Sequence, residues 1–194
     1  IKLERAKEAM AKMVASGGTI MFVGTSASVK ETIQATAKEL GLPYITERWL
    51  GGMLTNFGTI TKRIKYFRDL KDEKKNGEGD KYTKKEELKL ERELMKLDRL
   101  FSGVENLDKL PDMVFVADVT QNNKALREAR KLDIPIVAIL NTDADPDDVD
   151  YAIPANEKDK QSADFILGEI KVALEEAKAK MKVVKEAEKK EGNA

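Results

Sequence analysis

The sequence of 194 residues contains no cysteine and no histidine. Without cysteine the chain has no disulfide, no thiol nucleophile and no thiolate ligand for zinc. Without histidine it lacks the side chain that most often acts as a general base or binds a metal ion. The composition therefore disfavours catalysis, and the sequence predicts no catalytic residue, no metal site and no cofactor.

Long apolar runs and net charge are also absent. No apolar stretch approaches the ~20 residues that a membrane-spanning helix needs, so we expect no contact with a membrane. The 35 Lys and Arg are balanced by 35 Asp and Glu, which by itself argues against a nucleic-acid-binding protein.

That balance hides two oppositely charged segments. Residues 59–99 carry 14 basic and 10 acidic side chains, whereas residues 141–159 carry one lysine and seven acidic side chains. A basic segment can neutralise phosphates, although a solvated helix face is the more common meaning of such a run.

Apolar segments alternate with amphipathic helical patterns along most of the chain. Uninterrupted apolar segments are typical of parallel strands that are buried on both faces. The alternation predicts a doubly wound α/β fold with a parallel sheet. The pattern Ser28-Val29-Lys30-Glu31 predicts a capping box at the start of the first crossover helix, which Gly41 ends. The predicted strands are residues 19–23, 44–46, 113–117, 136–140 and 151–153.

Two segments with coiled-coil spacing interrupt this alternation. Apolar residues recur at intervals of 4, 3, 4 and 3 from Met53 to Phe67, and at 4, 3 and 4 from Leu90 to Phe101. A turn at residues 76–80 and a capping box at Thr83-Lys84-Lys85-Glu86 separate them. The pattern predicts an inserted antiparallel helical hairpin, an arm at residues 53–103 on the order of 30 Å long. The α/β body would then comprise residues 1–52 and 104–194.

Polar residues at the predicted strand ends leave an enzymatic hypothesis open. The turn Gly24-Thr25-Ser26 leads from a strand towards a helix, where backbone N–H groups can hold a phosphate. Asp118, Asn141 and Asp143 also follow strands, at the edge where α/β enzymes bind ligands. An enzyme acting on a phosphorylated substrate would use Thr25, Ser26, Asp118 and Asp143. No nucleotide-binding motif accompanies them, and carboxylates that merely cap turns and helices are the more common alternative.

The most distinctive segment is RWLGGMLTNF, residues 48–57. It holds the only tryptophan, beside an arginine and two glycines, where the second strand leads into the hairpin. Glycines allow the backbone to approach a partner closely, and an arginine with an aromatic ring can grip a phosphate and stack on a base. Alternatively, Trp49 packs beneath the arm and the glycines only form the bend. The residues alone leave both interpretations open.

The same segment resembles the signature of a bacterial-type ribosomal protein family, the small-subunit protein numbered two (the S-two family). The resemblance continues in the same order over essentially the whole chain. Further matching blocks are residues 20–25, 110–116, 134–138, 142–146 and 150–156. The resemblance implies a further N-terminal segment ahead of the position matching Ile1, and we expect this sequence to lack it.

The resemblance implies a Rossmann-like α/β body with a protruding coiled-coil hairpin. It implies a structural constituent of the small ribosomal subunit, located on the cytoplasmic ribosome, and not an enzyme. The implied partners are small-subunit ribosomal RNA and other small-subunit ribosomal proteins, including the messenger-binding protein numbered one. A coiled-coil scaffold with no RNA partner remains a further hypothesis.

With that resemblance, the bend and the basic arm become the predicted RNA-binding surface. A-form RNA is recognised mainly through its shape and its backbone, which favours cations and close backbone approach. The predicted RNA-binding residues are Arg48, Trp49, Gly51, Gly52, Thr55, Asn56, Lys62, Arg63, Lys65 and Lys84.

Overall fold

A parallel β-sheet forms the centre of the protein in the computed structural model, which describes residues 1–75 and 83–191, with side chains up to residue 181. Within this part of the chain the sheet has five strands in the order β2-β1-β3-β4-β5, all parallel. The strands are β1 (Ile20–Val23), β2 (Tyr44–Ile45), β3 (Met113–Val116), β4 (Ile136–Leu140) and β5 (Tyr151–Pro154). The predicted strands are confirmed to within one or two residues at each end.

Helices cover both faces of the sheet, because successive strand residues point to opposite sides. Ile20 and Phe22 enter one core, which the helices at residues 2–15, 30–40 and 160–191 complete. Met21 and Val23 enter a second core under the helices at residues 57–75 and 123–131. This arrangement confirms the predicted doubly wound α/β fold. The helices are α1 (Lys2–Ala15), α2 (Lys30–Leu40), α3 (Phe57–Lys75), α4 (Lys84–Phe101), α5 (Asn123–Lys131) and α6 (Lys160–Glu191).

The two predicted capping boxes have different outcomes. At α4 the prediction is confirmed: the backbone N–H of Thr83 donates to the Glu86 carboxylate over 3.0 Å, and the Thr83 hydroxyl donates to it over 2.8 Å. At α2 the prediction is wrong, because the helix begins only after Val29 and no side chain caps it. The Ser28 hydroxyl instead donates to the backbone carbonyl of Glu157, 3.2 Å away.

Helices α3 and α4 lie side by side. The Tyr66 hydroxyl donates to Glu93 over 3.3 Å, and Lys74 pairs with Glu91 at 2.7 Å. As the residue number rises along α3, the partner number on α4 falls, which is the order of an antiparallel pair. Coiled-coil packing and the domain boundaries at residues 53 and 103 stay predictions, and the predicted turn at residues 76–80 lies outside the described residues.

The base of this helix pair is joined to the sheet. Ile60, Ile64 and Phe67 of α3 are buried in the second core, together with Phe101 at the end of α4. Just beyond α4, a Cβ atom added to Gly103 would lie 2.2 Å from a backbone oxygen at the β2 edge. Only glycine fits there, so the chain returns from α4 in close contact with the sheet.

Candidate nucleic-acid interface

One carboxylate, that of Glu128 on α5, holds the bend between β2 and α3 (residues 48–56, hereafter the bend). Five hydrogen-bond donors from the bend converge on its two oxygens. They are the Trp49 indole N–H (3.0 Å), the backbone N–H groups of Gly52 (2.8 Å), Leu54 (3.0 Å) and Thr55 (3.2 Å), and the Thr55 hydroxyl (3.1 Å). A side chain of the body therefore fixes the shape of the most distinctive segment of the sequence.

These donors also keep Glu128 charged. Burial by itself raises the pKa of the carboxyl, but the hydrogen bonds from Trp49 and from the backbone of the bend outweigh it and leave the pKa below its ordinary value. The carboxylate thus acts as an anion bound inside the protein, and the bend surrounds it as a loop surrounds a phosphate.

Two of the predicted RNA-binding residues are used inside the protein. Trp49 is only 6% exposed and packs in the second core near Met53 and Leu54, while its N–H bonds to Glu128. Gly52 has φ = +87°, a conformation that favours glycine. Trp49 is therefore packed inside the protein, which agrees with the interpretation that it lies beneath the arm. Direct contact of Trp49 or Gly52 with RNA stays a prediction.

The other predicted residues of the bend face outward. Arg48, Gly51, Thr55 and Asn56 are all exposed. A Cβ atom added to Gly51 would meet nothing within 4 Å, so a partner's backbone can approach there. The Asn56 side chain accepts a hydrogen bond from the Thr59 hydroxyl (2.8 Å), which fixes the start of α3. The bend therefore presents small polar groups and one cation to solvent.

The cations of α3 fall into two groups. Lys62, Arg63 and Lys65, near the bend, are exposed and form no ion pair with any residue in the described part of the chain. Further along the helix, Arg68 pairs with an aspartate and Lys71 with a glutamate of the segment that follows α4. Next to the bend, the positive charge of α3 that is available to a polyanion is therefore that of its first turns.

Lys84 lies apart from this group. It is exposed and is the first residue of α4, whereas Phe101, the residue of this helix that is buried in the second core, lies at its other end. Along α3 alone, the rise from residue 62 to residue 75 is about 20 Å. The structure therefore brings together the predicted residues of the bend and of α3, but not Lys84.

The crevice where sheets of this strand order bind ligands is filled by the protein itself. It lies between the carboxyl ends of β1 and β3. There the buried Asp118 carboxylate accepts the backbone N–H groups of Thr25 (3.0 Å) and Ser26 (2.6 Å), and Asn122 also donates to it. Burial raises the pKa of Asp118 despite these bonds.

Asp118 therefore occupies the N–H groups that a phosphate would need. The predicted partners Asn141 and Asp143 are half-buried and exposed, respectively, and in the described part of the chain no hydrogen bond joins either side chain to this cluster. The arrangement does not favour the hypothesis of an enzyme acting on a phosphorylated substrate.

Two further features, a membrane-spanning helix and a cluster of metal-binding side chains, are absent from the described residues. None of the helices there combines the length and the apolar character required to cross a bilayer. Nor do three or more acidic side chains gather there in a group that could hold a metal ion.

The sequence patterns do not identify Glu128, because it lies 73 to 79 residues from the donors that it binds. One signal was available. Residues 123–131 contain four basic side chains and a single acidic one, Glu128, on a helix whose apolar residues are all buried. A single acidic side chain among basic ones is a candidate for hydrogen bonding to another element of the fold.

Comparison with known proteins identifies the family. The family model described as "Ribosomal protein S2" matches residues 1–177. The small ribosomal subunit protein uS2 of Rhodococcus jostii (strain RHA1) is 42% identical over 193 residues, which cover 98% of this chain and 64% of that protein. The uS2 proteins of Nocardia farcinica (strain IFM 10152) and Mycolicibacterium paratuberculosis (strain ATCC BAA-968 / K-10) are 42% and 43% identical over 174 residues, which cover 90% of this chain and 61% and 63% of those proteins. The chain thus spans less than two thirds of the length of these curated relatives. The resemblance seen in the sequence is confirmed, and the chain belongs to the ribosomal protein S2 family.

Proposed function

We propose that this chain is a structural, non-catalytic component of the small ribosomal subunit in the cytoplasm. The match to the ribosomal protein S2 family over residues 1–177 carries the proposal. The relatives are named as small ribosomal subunit proteins. The absence of cysteine and histidine and the self-filled crevice at Asp118 agree with a role in binding and assembly.

The proposed RNA contact is the outer surface of the bend together with the first turns of α3. Its cations are Arg48, Lys62, Arg63 and Lys65, which are exposed and therefore available to phosphates. Gly51, Thr55 and Asn56 allow close approach and offer polar groups. Trp49 and Gly52 would contribute chiefly by holding the bend against Glu128. Lys84 would make a separate contact, further along the hairpin.

The acidic side of the molecule is proposed to face other proteins of the subunit. Asp143, Asp145 and Asp147 are exposed in the loop between β4 and β5, a surface that repels RNA. Basic ribosomal proteins match this charge. That the messenger-binding protein numbered one is among these partners is a finer proposal, which rests on the resemblance of residues 48–57 and the other matching blocks.

Sedimentation tests the function directly. A tagged copy of the chain is expressed in a related bacterium, and its distribution in a gradient is measured at several salt concentrations. We expect the chain to travel with small subunits, and the variant Lys62→Glu/Arg63→Glu to be lost from them increasingly as salt rises. The matched control is Lys2→Glu/Lys12→Glu, which reverses two exposed charges on α1. Wild-type protein that stays at the top of the gradient would refute the function; equal retention of both variants would refute the assignment to α3.

A further inference from the structure

Helix α5 carries three cations along its outer side. Lys124, Arg127 and Lys131 are spaced by three and four residues, which places them on one face of a helix. All three are exposed, and none forms an ion pair with a residue in the part of the chain that the structure describes. The remaining basic residue of the helix, Arg130, forms an ion pair with Asp148. We call these three residues the α5 stripe.

Nothing on α5 compensates this charge. The single acid of the helix is Glu128, and its carboxylate is already engaged by five donors of the bend. Lys124 even lies in the first turn, where no acid accompanies it and where the helix dipole disfavours a positive charge. Lys131 lies in the last turn, where the dipole favours a cation, but no ion pair within the described residues engages any of the three side chains, so their charges are available to a partner outside the chain.

The α5 stripe and the bend belong to one surface. Arg127 directly precedes Glu128, and the carboxylate of Glu128 bonds to the backbone of Gly52 and Thr55. The exposed side of the bend and the outer face of α5 thus meet at this one shared side chain. The stripe spans about 10 Å along the helix axis in total, and Glu128 lies within that span.

The chemistry of the outer face favours a nucleic acid over a protein. Between residues 123 and 131, the exposed side chains are all polar or charged, and the apolar ones are buried. Protein interfaces usually have an apolar centre, which this face does not offer. A row of unpaired cations beside an accessible backbone is typical of contacts with phosphates.

We propose that the α5 stripe binds the phosphate backbone of folded RNA, as a contact continuous with the bend and separate from α3. The proposal rests on the proposed function, because it assigns a further part of the same RNA-binding surface. It extends that surface from the hairpin onto the α/β body, so that both the bend and the outer face of α5, which meet at Glu128, contact RNA.

Loss of charge at the α5 stripe tests the proposal. The triple variant Lys124→Gln/Arg127→Gln/Lys131→Gln and the wild type are bound to small subunits depleted of this protein, over a series of potassium chloride concentrations. Each lost phosphate contact lowers the slope of log affinity against log salt by about one. We expect a slope lower by about two to three and weaker binding. The matched control Lys2→Gln/Lys12→Gln/Lys180→Gln removes three exposed lysines from helices on the opposite face and should bind as wild type does.

A second measurement locates the contact without removing charge from the whole stripe. Because the chain has no cysteine, Arg127→Cys provides one unique thiol for a tethered iron chelate that cleaves nearby RNA. We expect cleavage of small-subunit RNA at discrete sites from position 127 in assembled subunits. Unchanged salt slope in the triple variant, or no RNA cleavage from position 127, would overturn the proposal, as would a contact of that position with protein alone. Failure of the wild type to bind subunits at all would instead refute the proposed function.

Discussion

At the scale of single residues, Glu128 has the widest influence on the proposed RNA-binding surface. It accepts five hydrogen bonds from four residues of the bend, and three of these bonds come from backbone N–H groups. Buried donors that lose their acceptor are costly, and bonds to a charged acceptor are stronger than neutral ones. The conformation of the bend therefore depends on one side chain that belongs to a different element.

Replacing Glu128 by alanine should destabilise the fold. The change leaves the donors of the bend without their acceptor, and we expect a loss of about 2–4 kcal/mol in the free energy of unfolding. Chemical denaturation followed by circular dichroism measures it. The matched control is Glu87→Ala on α4, an exposed glutamate whose side chain forms no hydrogen bond in the described structure, with an expected change within about 0.5 kcal/mol. Equal effects of the two changes would contradict the role of Glu128 in holding the bend.

The two neighbouring glycines of the bend should respond differently to alanine. Gly52 has φ = +87°, and a Cβ atom there would lie 3.1 Å from the Cβ of Asn56, so Gly52→Ala should cost about 1–2 kcal/mol of stability. A Cβ atom added to Gly51 would meet no atom within 4 Å, so Gly51→Ala should leave stability unchanged. Thermal unfolding of both variants compares them directly, and a reversed order of stability would show that the bend has another conformation.

At the scale of elements, the strands could be predicted well and the polar contacts less well. β1, β3 and β4 are uninterrupted apolar runs between polar or turn-forming segments, so local sequence determines them. Ser28 shows the limit of such patterns: it fits a capping box, but Glu157, far along the chain, offers its hydroxyl a carbonyl acceptor. Glu128 shows the same limit, since its donors are near it only in the fold. The sequence predicts where the bend lies but not what holds it.

The start of α4 provides a prediction at this scale. Thr83 and Glu86 form a capping box at the end of α4 where the residues are exposed, so we expect the cap to stabilise mainly the first turn of the helix. Thr83→Ala should cost about 1 kcal/mol. Amide hydrogen exchange along α4 should accelerate most in its first turn. Lys85→Ala, between the two capping residues, serves as control, and similar exchange in both variants would argue against the cap.

At the scale of the whole molecule, several carboxylates tie separate elements together. The Lys30 side chain, and then Arg99, hold the pKa of Glu47 below its ordinary value, and this glutamate joins α2 to α4. The backbone of Thr19 lowers the pKa of Asp112, which lies before β3. Carboxyls of this kind stabilise the fold above their unfolded pKa, and the stability is lost as the pH falls through the folded pKa.

The contribution of Glu128 to this acid sensitivity can be isolated. Its folded pKa lies below the ordinary value of 4.5, so its stabilising effect is complete above that pH and declines below it. The difference in unfolding free energy between the wild type and Glu128→Gln should therefore be largest near neutral pH and shrink as the pH falls below about 4.5. Denaturation curves from pH 3 to pH 7 measure this difference. A constant difference over the range would mean that the charge of Glu128 has no role.

The carboxylate of Asp118 bonds to the amides of Thr25 and Ser26, where a bound anion would otherwise lie, and so makes the stability of this crevice independent of a ligand. Domains of this architecture that bind a ligand gain stability with the logarithm of the ligand concentration. Here the equivalent group is part of the polypeptide, so its effective concentration is constant. The stability that comes from filling these amides is therefore the same whatever small anions surround the protein.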